Sequence, residues 1–290
     1  MIFSTLFAAL ALAVQQAPFK ADLPAKYLTP PPAPSRVLAR VDGVEIKASD
    51  VEPFLWDWRA DEALMDLISY QMAKAEAASK GVQVPEKEIE AEVDRQIEAV
   101  RSSLQPGQTP EQSLKDEGFP RSRLYLRVAS QLLIDGIVLR QFDPKEYVNV
   151  STIVIKPVDE QASSLSAALK KAEDAYSRLQ GGEPWETVLA SLADPAGRPS
   201  GGPVGWRPLS AFPDTVRSEL EKLEPGKVTK PAQTSNGIQI FRMERQGSAA
   251  VGVEMDQLKA TYLTGARQSY AKQLRDRVKI ERFDRGGLEN

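Results

Sequence analysis

Residues 200 to 213 read SGGPVGWRPLSAFP, with two adjacent glycines, a third three residues on and then Trp206, in a chain holding no histidine and no cysteine. Those two absences remove imidazole general bases, thiolate nucleophiles, Ser-His-Asp arrangements and the usual zinc ligands. Any chemistry must come from carboxylates, hydroxyls, amides or shape alone. Asp194, in the Asp194-Pro195 pair just upstream, reads equally as a pocket carboxylate and as a turn former. Gly201, Gly202 and Gly205 suit positive φ or close strand approach. They do not suit a phosphate cradle, because no Lys-Ser/Thr follows them. Trp206 reads first as a core residue and, beside a groove, as a contact too. The acidic runs EKEIEAEVD and ELEKLE read as solvated helix faces, so no metal is expected.

The elements that must position these residues follow from length and pattern. A chain of 290 residues suggests two domains. Its composition, 42% hydrophobic and 27% charged, is that of a soluble folded protein, and a formal net charge of −3 gives no footprint for nucleic acid. Residues 2–14, IFSTLFAALALAV, are too short to span a bilayer and suit a signal-peptide core, with Ala11-Leu12-Ala13 as a small-x-small cleavage site. No Lys or Arg precedes Lys20, so a cleaved signal over 1–17 and a retained anchor both stay open. Residues 18–36 read as a proline-rich linker, with Pro30, Pro31, Pro32 and Pro34 stiffening it.

The spacing then predicts a hairpin over 37–47, turning on Asp42-Gly43, and a run of helices through 145. Ser49 or Asp50 caps the first, Pro85 opens the second, Thr109-Pro110-Glu111-Gln112 caps a short third, and the fourth has a weak spot at Gly136. From 146 to 246 the pattern changes to a strand, an alanine-rich helix ending at Gly181-Gly182, a helical turn set around Trp185, the glycine-rich turn and a closing strand GIQIFRME. This is an α+β unit. An amphipathic helix over 253–290, able to end in a strand at VKIERF, must pack on something, and the N-terminal helical unit is the expected partner.

In chain order, Asp194-Pro195, GGPVGW at 201–206, LEPGKVTKP at 223–231 and TSNGIQIF at 234–241 resemble the parvulin family of peptidyl-prolyl isomerases. VLARVDGVEIKASDV and LMDLISYQMAKAEAASKGVQVPEKEIEAEV are similar to the N-terminal chaperone segment of SurA-like and PrsA-like extracytoplasmic foldases. The resemblance implies an α+β protein: a helical chaperone domain at 37–145, with an N-terminal hairpin and the C-terminal helix, joined to a parvulin-like domain at 146–246 with a four-stranded antiparallel sheet. It implies a prolyl isomerase and foldase for newly exported proteins, working without a cofactor in the periplasm or another extracytoplasmic space. Its partners would be unfolded polypeptides and their proline-containing segments, near a membrane if the leader is retained.

Carried onto this chain, the family's two strand histidines fall at Thr152 and Gln239 and its acidic position at Asp194. Its Met-or-Leu seat position falls at Phe212 and its seat phenylalanine near Val216, while Pro203 stands where aspartate often follows the paired glycines. The expected site is therefore Asp194, Thr152 and Gln239 for catalysis, with Phe212, Val216 and Trp206 against the substrate. Prolyl isomerisation moves no proton; its barrier of about 18–20 kcal/mol is amide resonance lost in the twisted state, so an apolar seat and a polar group suffice. Thr152 and Gln239 read as a reworked site or as a satisfied buried pair. The chain accordingly reads as a histidine-free isomerase or as a holdase whose parvulin fold only binds. Trp56, Trp58, Met65 and Met72 are candidates for adaptable contact with clients.

Overall fold

The computed structural model describes residues 23–104, 106–159, 161–192 and 200–284; the leader expected at 2–14 and Asp194 lie outside them. The chain divides into two compact units. One takes in the described residues up to Ala78 together with Gln83–Leu132, and the other Ser79–Val82 and the described residues from Leu133 on. The break falls inside the fourth helix, earlier than the boundary expected at 145.

In the first unit β1 (Val37–Val41) and β2 (Val44–Lys47) form an antiparallel hairpin. It turns on Asp42 at φ 48° and Gly43 at φ 84°, the left-handed pair that a tight two-residue turn demands. Helix α1 (Ala48–Ser79) starts where the Asp50 carboxylate accepts the Lys47 N–H at 2.7 Å. In α2 (Glu86–Ala99) the stripe Ile89, Val93 and Ile97 is buried, as three- and four-residue spacing requires. Short α3 (Pro110–Asp116) is capped by the Thr109 hydroxyl accepting the Gln112 N–H at 3.2 Å. Helix α4 (Arg121–Val138) is tied to α1 through Arg123, which lies 2.6 Å from Asp66 and 3.0 Å from Glu62. The segment read as a linker is docked here: Tyr27 packs against Tyr125 with ring centroids 5.5 Å apart and donates to Glu90 at 3.2 Å. By contrast the hairpin and the first sixteen residues of α1 bury nothing, and Trp56 and Trp58 are each 68% exposed.

The second unit runs β3 (Tyr147–Ile155), α5 (Ala162–Gln180), α6 (Trp185–Ser191), β4 (Gly201–Pro208), α7 (Asp214–Leu220), β5 (Ala232–Thr234), β6 (Gly237–Gln246) and α8 (Val253–Arg277). The strands form one antiparallel sheet in the order β4-β3-β6-β5. Central β3 is buried on both faces because each carries its own core. Ile153, Ile155, Ile238 and Ile240 meet α5 and α6 on one side, where Ala168, Ala172 and Ala175 let α5 lie close. On the other, Val148, Val150, Phe241 and Met243 meet Phe212, Val216 and Leu220 around α7.

Helix α8 lies against the end of α4 that belongs to this second unit. Tyr262 Oη donates to the Val138 carbonyl at 3.1 Å, and Arg267 forks onto the buried Asp135 carboxylate at 2.5 and 2.7 Å. Gly136, the weak spot in α4, has a packing reason: a Cβ there would come within 2.8 Å of Val82 Cγ1. VKIERF forms no strand, and the chain leaves α8 at Val278 in an extended conformation.

Candidate functional site

The α7 face of the sheet opens into a groove of about 1940 Å³. Its floor is Thr152 and Val154 of β3 with Gln239 and Phe241 of β6, and its walls include Phe212, Gly201, Val204 and residues of α5. The register explains the floor. Thr152 pairs with Phe241 and Val154 with Gln239, so the four side chains share one face, with Thr152 and Gln239 diagonal neighbours.

Thr152 and Gln239, 8% and 7% exposed, form a relay that is satisfied from end to end. The Thr234 hydroxyl donates to Gln239 Oε1 at 2.6 Å, Gln239 Nε2 donates to Thr152 Oγ1 at 3.2 Å, and the Thr152 hydroxyl donates to the Ile240 carbonyl at 3.3 Å. Thr234 also caps the turn into β6, accepting the Asn236 N–H at 3.1 Å. The relay thus joins β5, β6 and β3 beneath the groove. Nothing in it can act as a general base near neutral pH, and a reaction that transfers no proton does not need one.

Access to Thr152 depends on Gly201. It pairs opposite Ile153 at φ 148°, and a Cβ there would stand 2.0 Å from the Thr152 carbonyl oxygen. Only glycine lets β4 approach β3 this closely at the mouth of the groove. Gly202, at φ 145°, has open space where a Cβ would be, and its requirement is conformational alone.

The apolar wall is an edge-to-face pair, Phe212 against Phe241, with centroids 5.3 Å apart at 86°. Phe212 therefore reaches the groove with Thr152 and Gln239. Val216 does not: it is 2% exposed and packs in the core beneath α7, so the aromatic position assigned to it is filled from β6 by Phe241. Phe241 was legible in the sequence, because strand alternation puts it on the face of Gln239, two residues earlier. Trp206 is also elsewhere. It sits 5% exposed among Tyr147, Ala250 and Leu258, beside Phe142, Met255 and Tyr262, and seats α8 on the sheet. Its indole N–H is buried without an acceptor in the chain. Burial there raises the phenol pKa of Tyr147 and of Tyr262 above the ordinary tyrosine value. Asp194 lies outside the described residues. Among the described residues no group of three or more acidic side chains could hold a metal, and no helix is long and apolar enough to cross a membrane.

A four-stranded antiparallel sheet with α5 and α6 on one face and a groove over paired β3 and β6 side chains on the other defines the parvulin class of domain. Residues 153–245 match the PPIC-type peptidyl-prolyl isomerase (rotamase) domain, a span that includes Gln239 and begins one residue after Thr152. The chain is a parvulin-domain protein related to SurA chaperones. It is 24% identical over 211 residues to Chaperone SurA of Aromatoleum aromaticum, covering 64% of this chain and 47% of that one. It is 22% identical over 252 residues to Chaperone SurA of Methylobacillus flagellatus, covering 78% and 57%. The chain thus spans about half the length of these curated relatives. Among solved structures, the peptidylprolyl isomerase PrsA of Bacillus cereus covers 87% of this chain at 13% identity and TM-score 0.38. A structure from Campylobacter jejuni, described under two SurA-like chaperones, covers 86% at 18% identity and TM-score 0.25.

Proposed function

We propose that this chain is a foldase for exported proteins, in which the groove over Thr152 and Gln239 binds proline-containing segments and accelerates their cis/trans isomerisation. The observation that carries the reading is the groove floor: an aromatic wall, Phe212 on Phe241, directly beside a fixed hydroxyl–amide relay. A proline ring seated on the phenyl edge leaves its preceding carbonyl over polar groups that cannot follow it. A site of that kind holds the twisted amide better than either planar form, which is the whole requirement. Asp194 is assigned to the same site as the carboxylate that polarises the substrate. Trp56 and Trp58 on the exposed arm of the first unit supply apolar surface for unfolded chains. Residues 1–17 act as the export signal, and the protein works in the periplasm or another extracytoplasmic space.

A second reading has its own observation. Each link of the relay finds its partner within the protein, so the pair is self-sufficient without substrate, as befits a domain that binds peptides without catalysis. One assay separates the two. The full chain is added to a client whose refolding is limited by a prolyl bond, and the slow phase is followed with wild type and with Asp194→Ala. A faster slow phase that Asp194→Ala diminishes supports the enzyme. An unchanged slow phase with less aggregation supports the binding module.

A further inference from the structure

The wall of the groove opposite the aromatic pair has a charge pattern of its own. Ala167, Lys170, Lys171, Asp174 and Arg178 recur at three- and four-residue steps and line the groove, while Ala168, Ala172 and Ala175 turn to the sheet. With Lys156 and Arg207, five cations line the groove against one described carboxylate, Asp174. Arg178 is held by Glu183 at 2.7 Å. The other four, Lys156, Lys170, Lys171 and Arg207, are exposed and have no carboxylate partner among the described residues. Yet acidic residues outnumber basic ones in the chain, 40 to 37. A local surplus of unpaired cations in a net anionic protein, on a concave wall facing an apolar seat, is complementary to a ligand carrying both features.

We infer that the groove selects proline-containing segments flanked by carboxylate side chains, with Lys170 and Lys171 of α5, helped by Lys156 and Arg207, setting that preference. The inference deepens the peptide-binding reading of the groove and rests on it. An extended segment crossing from Phe212 to α5 places its flanking residues against the lysines while its proline stays on the aromatic wall. A concave surface suits such a chain better than the flat face of an anionic membrane.

The test uses the full chain and fluorescein-labelled peptides with one Ala-Pro core and flanks of glutamate, glutamine or lysine, read by anisotropy. Each exposed ion pair multiplies affinity by about 1.5 to 5, so the glutamate peptide should bind about tenfold more tightly than the glutamine one at low salt. The advantage should vanish near about 1 M salt, where the screening length falls to about 3 Å. The double variant Lys170→Glu/Lys171→Glu, altered only at exposed positions, should prefer the lysine peptide, and Lys170→Arg/Lys171→Arg should keep the wild-type order. Ala211→Trp, which fills the groove from its exposed rim, should weaken all three peptides. Equal affinity for the three, still lost in Ala211→Trp, would overturn the selectivity and leave the peptide site standing. No peptide binding at all would overturn both, and phosphatidylglycerol vesicles outcompeting the glutamate peptide would assign the lysines to a membrane surface instead.

Discussion

Replacing Thr152 and Gln239 singly and together tests whether their hydrogen bond is part of what holds the sheet beneath the groove. Thr152→Val keeps the shape of the side chain but removes the donor to the Ile240 carbonyl and the acceptor for Gln239 Nε2. It leaves a buried amide hydrogen unpaired, at a cost of about 1–3 kcal/mol. Gln239→Leu removes the amide, but Thr152 keeps Ile240 O as its acceptor and Thr234 keeps Gly237 O at 3.1 Å. With no donor stranded, that change should cost about 1 kcal/mol. The double variant is an apolar pair that strands no amide, so it should cost less than the two singles combined, with a coupling of about 1 kcal/mol. Urea unfolding followed by tryptophan emission reads the second unit, because Trp185 and Trp206 are buried there while Trp56 and Trp58 are exposed in the folded state. Single-variant costs that add to within about 0.5 kcal/mol would refute the relay as a cooperative structure.

Gly201→Ala should destabilise the second unit by more than about 2 kcal/mol, since the new Cβ meets the Thr152 carbonyl as well as an unfavourable φ. Gly202→Ala, with a similar φ and no obstacle, should cost only about 1–2 kcal/mol in the same unfolding assay. Arg267→Met leaves Asp135 buried without its fork and should lower stability by about 2 kcal/mol, below the range for fully buried pairs because Arg267 is partly solvated. Tyr125, whose phenol is pushed by burial up to about 12, stays protonated in the folded protein while the unfolded chain ionises near the ordinary value of 10. Stability from this group is full below pH 10 and is lost as pH rises toward 12, and absorbance at alkaline pH should show Tyr125 titrating last and with unfolding.

What could be read from the sequence was whatever local pattern dictates. Asp42-Gly43 specified its hairpin, Thr109 its cap, and the alternation through β3 and β6 put Thr152 and Gln239 on one face. The misplacements share one cause, that tertiary partners decide which side of an element faces a groove. Val216 is apolar and near the seat in sequence, but α7 turns it into the core. Trp206 follows the glycines that shape the groove, yet strand pleating points it to the opposite side, where α8 covers it. Tyr27 lies in a stretch whose prolines suggest a free spacer, and only Tyr125 and Glu90, about a hundred and sixty residues further along in turn, reveal that it is docked. The α5 lysines carry no signal in sequence beyond a solvated face, because their neighbours in the groove come from β3 and β4.

The central claim is that this groove, without a histidine, speeds prolyl rotation. NMR exchange spectroscopy on an Xaa-Pro peptide with the full chain and with Ala211→Trp tests it directly. The account predicts that wild type shortens the uncatalysed exchange time of about tens of seconds and that Ala211→Trp restores it. Exchange left at the uncatalysed rate, with the peptide shown to be bound in the groove, would contradict it.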